Sequence, residues 1–188
     1  MTRILRLKQF WMVLMLPLIS CATASDVGKE SIYPENWPAL VKRPENGCTN
    51  LSGEYAYYGE AQEKKGYSTK PIRMDQSLFG KILLLGEQKK VVIRHDPERN
   101  FLSYQNPEGN QPEKLFQVSC LNNQNIIKRE STVASSEGSS DTIYTIELAK
   151  AIDGSLAAFI SAVSVYKLFF IPLKQNFKGW VRFLPAGN

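Results

Sequence analysis

The 188-residue sequence is poor in the residues that do metal and acid-base chemistry: it has one histidine, His95, and three cysteines. A structural zinc site needs four Cys or His ligands, and Cys48, Cys120 and His95 fall short of that once Cys21 is assigned to the N-terminus below. General base catalysis near neutral pH falls most naturally to histidine. Any hydrolytic constellation would therefore have to be built on His95, which stands beside Asp96 on an expected strand, and a lone strand histidine reads more simply as a satisfied structural residue. The spacings G-x-S-x-G, G-x-x-x-x-G-K-[ST], G-x-G-x-x-G and H-E-x-x-H do not occur. Glu60 with Glu63, and Asp96 with Glu98, are ordinary local pairings of carboxylates. Ser164 and Lys167 have the S-x-x-K spacing of acyl enzymes, but they fall in a β-branched run. A strand would send the two side chains to opposite faces.

Clustered positive charge is also missing. Lys64-Lys65 and Lys89-Lys90 are isolated doublets, not the basic stripe that nucleic acid requires, so no nucleic-acid partner is expected. The formal charge of +5 is partly contributed by the first twenty residues, which carry three of the 23 basic residues and none of the 18 acidic ones, leaving +2 behind them.

Those twenty residues have the order of a secretory signal: Arg3, Arg6 and Lys8, then an apolar run from Phe10 through Leu16 to Leu18-Ile19, then the small residue Ser20. The run is about ten residues long, against roughly twenty needed to span a bilayer. Leu18-Ile19-Ser20-Cys21 resembles the lipobox of bacterial lipoproteins. The resemblance implies diacylglycerol on the Cys21 thiol, cleavage before it and acylation of the new amine, hence attachment to a membrane. Ala22 rather than Asp after the cysteine implies the outer membrane. The competing reading is ordinary cleavage after Ala22 or Ala24.

Residues 21–47 carry Pro34, Pro38 and Pro44 among polar residues and read as a lipidated tether, whose later part can lie along the domain through Tyr33 and Trp37. Residues 48–188 are expected to form a single domain. Cys48 and Cys120 in an exported chain are expected to bridge, the alternative being two buried free thiols.

The rest reads as short strands. Leu51 to Tyr58 places Tyr55 and Tyr57 on one face, and Val91–His95 and Phe101–Gln105 flank the turn Asp96–Asn100 as a hairpin. Leu115–Leu121 puts Phe116, Val118 and Cys120 on one face, so Cys120 is expected in the core. Ile126–Glu130 and Thr142–Leu148 are separated by the polar run Ser135–Ser140, read as a loop. Asp153-Gly154 signals a turn. Ser155–Leu173 is expected to divide into two strands around Ala162–Ser164, a transmembrane helix being opposed by Lys167 and Pro172. One helix is expected, with Asp75 as its N-cap and Leu78, Phe79, Ile82 and Leu83 as its stripe before Gly86; Lys81–Leu85 is also readable as a strand.

The chain thus predicts a mainly β domain, an antiparallel sandwich or partly closed barrel with one short helix. The spacing from Gly47-Cys48 to Gly53-x-Tyr55, with Gly179-Trp180-x-Arg182-Phe183, resembles small proteobacterial lipoproteins of uncharacterised function. Gly53-x-Tyr55 is also similar to the Gly-x-Trp opening of the lipocalins. Together these imply a non-catalytic envelope lipoprotein making protein contacts at the membrane surface or, alternatively, a carrier of a lipid or other apolar ligand. No cofactor is expected.

Overall fold

The structure is a computed structural model that describes residues 32–61, 71–80, 89–107, 113–135, 138–168 and 171–187. The expected signal segment and Cys21 lie outside the described residues. Two antiparallel sheets face each other across one apolar core, giving the expected β-sandwich.

The smaller sheet has the order β1 (Gly53–Ala56), β4 (Lys90–Asp96), β5 (Phe101–Gln105), β6 (Lys114–Gln117). The larger has the order β3 (Ile72–Arg73), β2 (Tyr58–Ala61), β11 (Ile171–Phe183), β10 (Leu156–Leu168), β9 (Gly138–Lys150), β8 (Gln124–Ser135), β7 (Ser119–Leu121). The chain passes between sheets at two single-residue corners, Tyr57 between β1 and β2 and Val118 between β6 and β7. Both corner side chains are buried. Their backbone groups find partners outside the ladders: Tyr57 N donates to the Lys89 carbonyl and Val118 N to that of Asn100, which avoids the cost of orphaned polar groups in the interior. Around the core the strands therefore follow one another in a ring, interrupted at the corners.

The β4–β5 hairpin forms as expected, Ile93 opposite Tyr104 and Asp96 opposite Phe101. Tyr55 and Tyr57 both face the core. Where β2 meets β11 the sheet tolerates no side chain at Gly59, because a Cβ there would stand 2.6 Å from the Phe183 ring.

Several expectations are corrected. Leu115–Leu121 is not one strand: the corner at Val118 breaks the period of two, so Phe116 and Val118 reach the core while Cys120 lies exposed on β7. The bridge to Cys48 forms nonetheless, with Cα atoms 5.8 Å apart. It is positioned by two asparagines of the β7–β8 hairpin, since Asn123 Nδ2 donates to the Glu45 carbonyl and Asn125 Nδ2 to that of Thr49. Ser135 and Gly138–Ser140, read as loop, belong instead to the β8–β9 ladder, which continues to Ser135 opposite Gly138; Ser136 and Glu137 lie outside the described residues. Nor does the chain turn at Ala162–Ser164: β10 runs unbroken to Leu168, opposite Ile171. The helix α1 spans Met74–Phe79 with Arg73 at the N-cap and ends on left-handed Gly80. Asp75 lies in its first turn, and Ile82, Leu83 and Gly86 fall outside the described residues. A side chain at Gly80 would collide with the Arg129 guanidinium, so both conformation and space select glycine there.

Candidate interaction surface

The one buried carboxylate–guanidinium pair among the described residues is Arg73 with Asp75. Arg73 donates through Nε and Nη2 to the two carboxylate oxygens at 3.3 and 3.1 Å, and Asp75 Oδ1 also accepts from Gln76 N at 2.8 Å. The Arg73 guanidinium lies 5.2 Å from the centre of the Tyr57 ring. Burial, reinforced by Asp75, pushes the Tyr57 hydroxyl up to about 12, and burial and Asp75 also raise Tyr104. These groups sit against α1 with Asp75 and both tyrosine rings fully buried. The cluster fastens the helix to the sheet, with the Arg73 side chain partly exposed.

His95 is nearly buried, and its surroundings fix it as neutral imidazole. Leu51 N donates to Nδ1 at 3.3 Å, while His95's own N–H goes to Ser52 Oγ at 2.9 Å. Burial lowers its pKa, opposed by Asp96 and by the Thr49 backbone. The ring's partners are thus backbone groups that hold the 49–52 segment against β4. Because the folded pKa lies below the unfolded value of 6.5, the unfolded chain takes the proton first, and the stability His95 confers is complete above pH 6.5 and lost as pH falls through the folded value. Chemical denaturation between pH 7 and pH 5 should therefore show falling stability, and His95→Gln should flatten that slope; an unchanged slope would rule out His95 as its source.

Ser164 and Lys167 do not form a nucleophile pair. Ser164 Oγ shares a hydrogen bond with Thr142 Oγ1 at 2.9 Å, and Lys167 Nζ reaches Asp141 Oδ2 at 3.2 Å, each on its own face of the sheet. Among the described residues no group of three or more His, Cys, Asp or Glu side chains is placed to hold a metal ion.

What distinguishes the molecule is the length of its outer ladder. At about 3.3 Å per residue, the 13-residue strands β9, β10 and β11 extend far beyond the sheet opposite, whose longest strand has 7 residues. Near the core the outer face is covered by the tether. Tyr33 packs edge-on against Trp37 and Trp180 with ring centres 5.9 and 5.0 Å away, and Trp180 also meets Phe159 at 5.1 Å. Val41 N donates to the Lys150 carbonyl and Ile152 N to that of Ala39, so the segment adds itself to the sheet. A concavity of about 50 Å³ lies beside it, lined by Leu40, Gln124, Glu147 and Trp180.

Farther along the ladder, past buried Ala162 and half-buried Tyr144, side chains on both faces become more exposed. The register places Tyr144, Ala162 and Phe177 in one row on the core-side face and Val133, Ser140, Tyr166 and Leu173 in another. The opposite face carries Ile143 with Val163, then Asp141 with Val165 and Lys174. Exposure reaches 60% at Val133, 53% at Ile143, 49% at Leu173 and 54% at Phe177. The sequence carries no signal for this projection: Leu156–Leu168 holds no Gly, Pro, Asn or Asp, and nothing in it marks where the sheet opposite ends.

The fold and its surface stand without a relative to interpret them: no family model matches the chain, and no curated protein or solved structure matches it.

Proposed function

We propose that this chain is a lipoprotein of the bacterial cell envelope, anchored in the outer membrane through acylated Cys21, that acts without catalysis by protein contacts at the membrane surface. The observation that carries the reading is the projecting ladder. Strand β11 pairs with β2 at Val181 and Arg182, and its edge from Leu173 to Gly179 has no strand partner among the described residues. An open edge on a strand that itself carries exposed Leu173 and Phe177 offers main-chain pairing and side-chain contact together, the combination by which a partner adds a strand to a sheet. Pro172, Lys174 and Lys178 on that strand discourage indiscriminate pairing.

The core favours this reading over the carrier. A drug-sized or lipid ligand needs a cavity of about 300 Å³ or more, whereas Tyr55, Tyr57, Tyr104, Phe183, Leu78 and Phe79 fill the space between the sheets.

Two measurements test the proposal. Mass spectrometry of the native protein should find an N-terminal, acylated Cys21, and Cys21→Ala should release the protein from the membrane fraction or leave it uncleaved. Co-purification from detergent-solubilised envelopes should recover a protein partner that Phe177→Asp loses while fold and anchor are unchanged. An unmodified chain beginning at Ser25 would remove the anchor, and equal recovery by Phe177→Asp would remove this surface as the partner's seat.

A further inference from the structure

We infer that the open edge of β11 receives an acidic, amphipathic β-strand of a partner protein, with Asp or Glu side chains on one face and apolar ones on the other; this rests on the reading of that edge above and deepens it. Every residue from Pro172 to Lys178 is exposed, and side chains along the strand are sorted by face. Val181 and Phe183 point into the core. At a period of two, Leu173, Gln175 and Phe177 therefore share the core-side face and Lys174, Asn176 and Lys178 the opposite one. The two lysines stand about 13 Å apart along the strand. No acidic residue occurs in Ile171–Phe183, and behind the lysines β10 sets Val165 and Ser161, with Val163 between them. One strand farther in, Asp141 is already bonded to Lys167 and Thr132. Neither Lys174 nor Lys178 has a carboxylate partner among the described residues.

Charge complementarity makes the occupant acidic. Residues directly opposite one another on antiparallel strands lie on the same face with Cβ atoms about 5 Å apart. A strand added to this edge therefore places alternate side chains against Lys174, Asn176 and Lys178, and the intervening ones against Leu173, Gln175 and Phe177. Carboxylates four residues apart meet both lysines, while apolar residues at the intervening positions cover Leu173 and Phe177. A strand with basic residues in their place sets like charges directly opposite, which is destabilising. A second copy of this chain fits poorly for the same reason, since antiparallel pairing about a two-fold axis keeps the faces in common and sets four lysines along one seam. Two lysines are also too few for nucleic acid. Main-chain pairing supplies affinity, and the lysines supply choice by repelling the wrong strand as well as attracting the right one.

The test uses the native full chain in detergent micelles and a short synthetic peptide that alternates glutamate with valine. One control peptide has lysine in place of glutamate, and a second is the glutamate peptide methylated on every backbone nitrogen, which removes its donors to the edge. The glutamate peptide should bind, slow hydrogen exchange of the edge-facing amides between Leu173 and Gly179, and dissociate as salt is raised; the control peptides should leave exchange unchanged. Lys174→Glu combined with Lys178→Glu should weaken the glutamate peptide about tenfold or more, because two cross-strand charge pairs change sign, and should confer binding of the lysine peptide. Equal protection by the glutamate and lysine peptides would overturn the acidic partner and leave the edge as a protein's seat. No protection by any peptide, with an envelope partner still recovered and still lost by Phe177→Asp, would overturn strand addition and leave the surface reading standing. Edge-facing amides that exchange slowly without any peptide would also overturn the inference, giving the edge to a second copy if dilution speeds them and to the chain itself if it does not.

Discussion

Reduction of the Cys48–Cys120 bridge is expected to lower the melting temperature by about 12 °C, since the bridge stabilises by about 4 kcal/mol in the chain-entropy account and a domain of this size shifts about 2–4 °C per kcal/mol. The two cysteines are 72 residues apart, so the bridge removes a large closed loop's worth of freedom from the unfolded chain. Cys120 is exposed, and a mild reductant should therefore reach it without denaturant. The consequence should be global: the bridge ties the segment entering β1 to the hairpin that opens the large sheet, so it links both sheets at one edge. Calorimetry with and without reductant, and on Cys48→Ser with Cys120→Ser, measures the effect. A shift under about 3 °C would mean that the unfolded chain is already constrained near these residues.

Asp75→Ala is expected to destabilise the fold by about 3 kcal/mol, the lower end of the cost of breaking a buried ion pair. Asp75 has no exposed surface, whereas the Arg73 side chain keeps 26% of its own. Water thus reaches the stranded guanidinium and the full penalty is avoided. Loss of the carboxylate also removes the acceptor for Gln76 N in the first turn of α1 and the anion at its positive end. Arg73→Met alone should cost at least as much, because it strands the carboxylate in the core. The double variant should cost less than the sum of the two, and denaturation midpoints across the cycle read the coupling directly. Strict additivity would show that the pair contributes nothing.

Much of this architecture is legible in the sequence, and the failures have physical causes. The β4–β5 hairpin was readable because Asp96-Pro97 and Asn100 punctuate two alternating runs, and Asn100 takes the positive φ of 58° that its residue type tolerates. The pairing of Cys48 with Cys120 was readable from compartment chemistry, but not its exposed location. That depended on a corner at Val118, where a buried valine swings the chain into the second sheet without any glycine or proline to announce it. The polar run Ser135–Ser140 looked like a loop because it has nothing to bury. Its described residues are strand because the β8–β9 and β9–β10 pairings run on through Ser135 and Gly138–Ser140, and burial is not what holds them. The projecting surface was invisible for the same reason: alternation along one strand does not reveal that the sheet opposite has ended.

The ring of strands also constrains the order in which the chain can assemble. Pairings from β8 through β11 join neighbours in sequence and have short loops to close, whereas β2 must wait for Val181 and Arg182, which sit opposite Ala61 and Glu60. Contacts of such long sequence separation form late, because the loop-closure entropy comes before the contact is made. In a chain made from its N-terminus, the first strands formed keep an open edge until β11 is available. The C-terminal residues Pro185 and Ala186, which close onto Tyr55 and Glu54, are then the latch of the whole fold. A nascent chain stalled short of them would hold four long strands already paired and an N-terminal half still unsheltered.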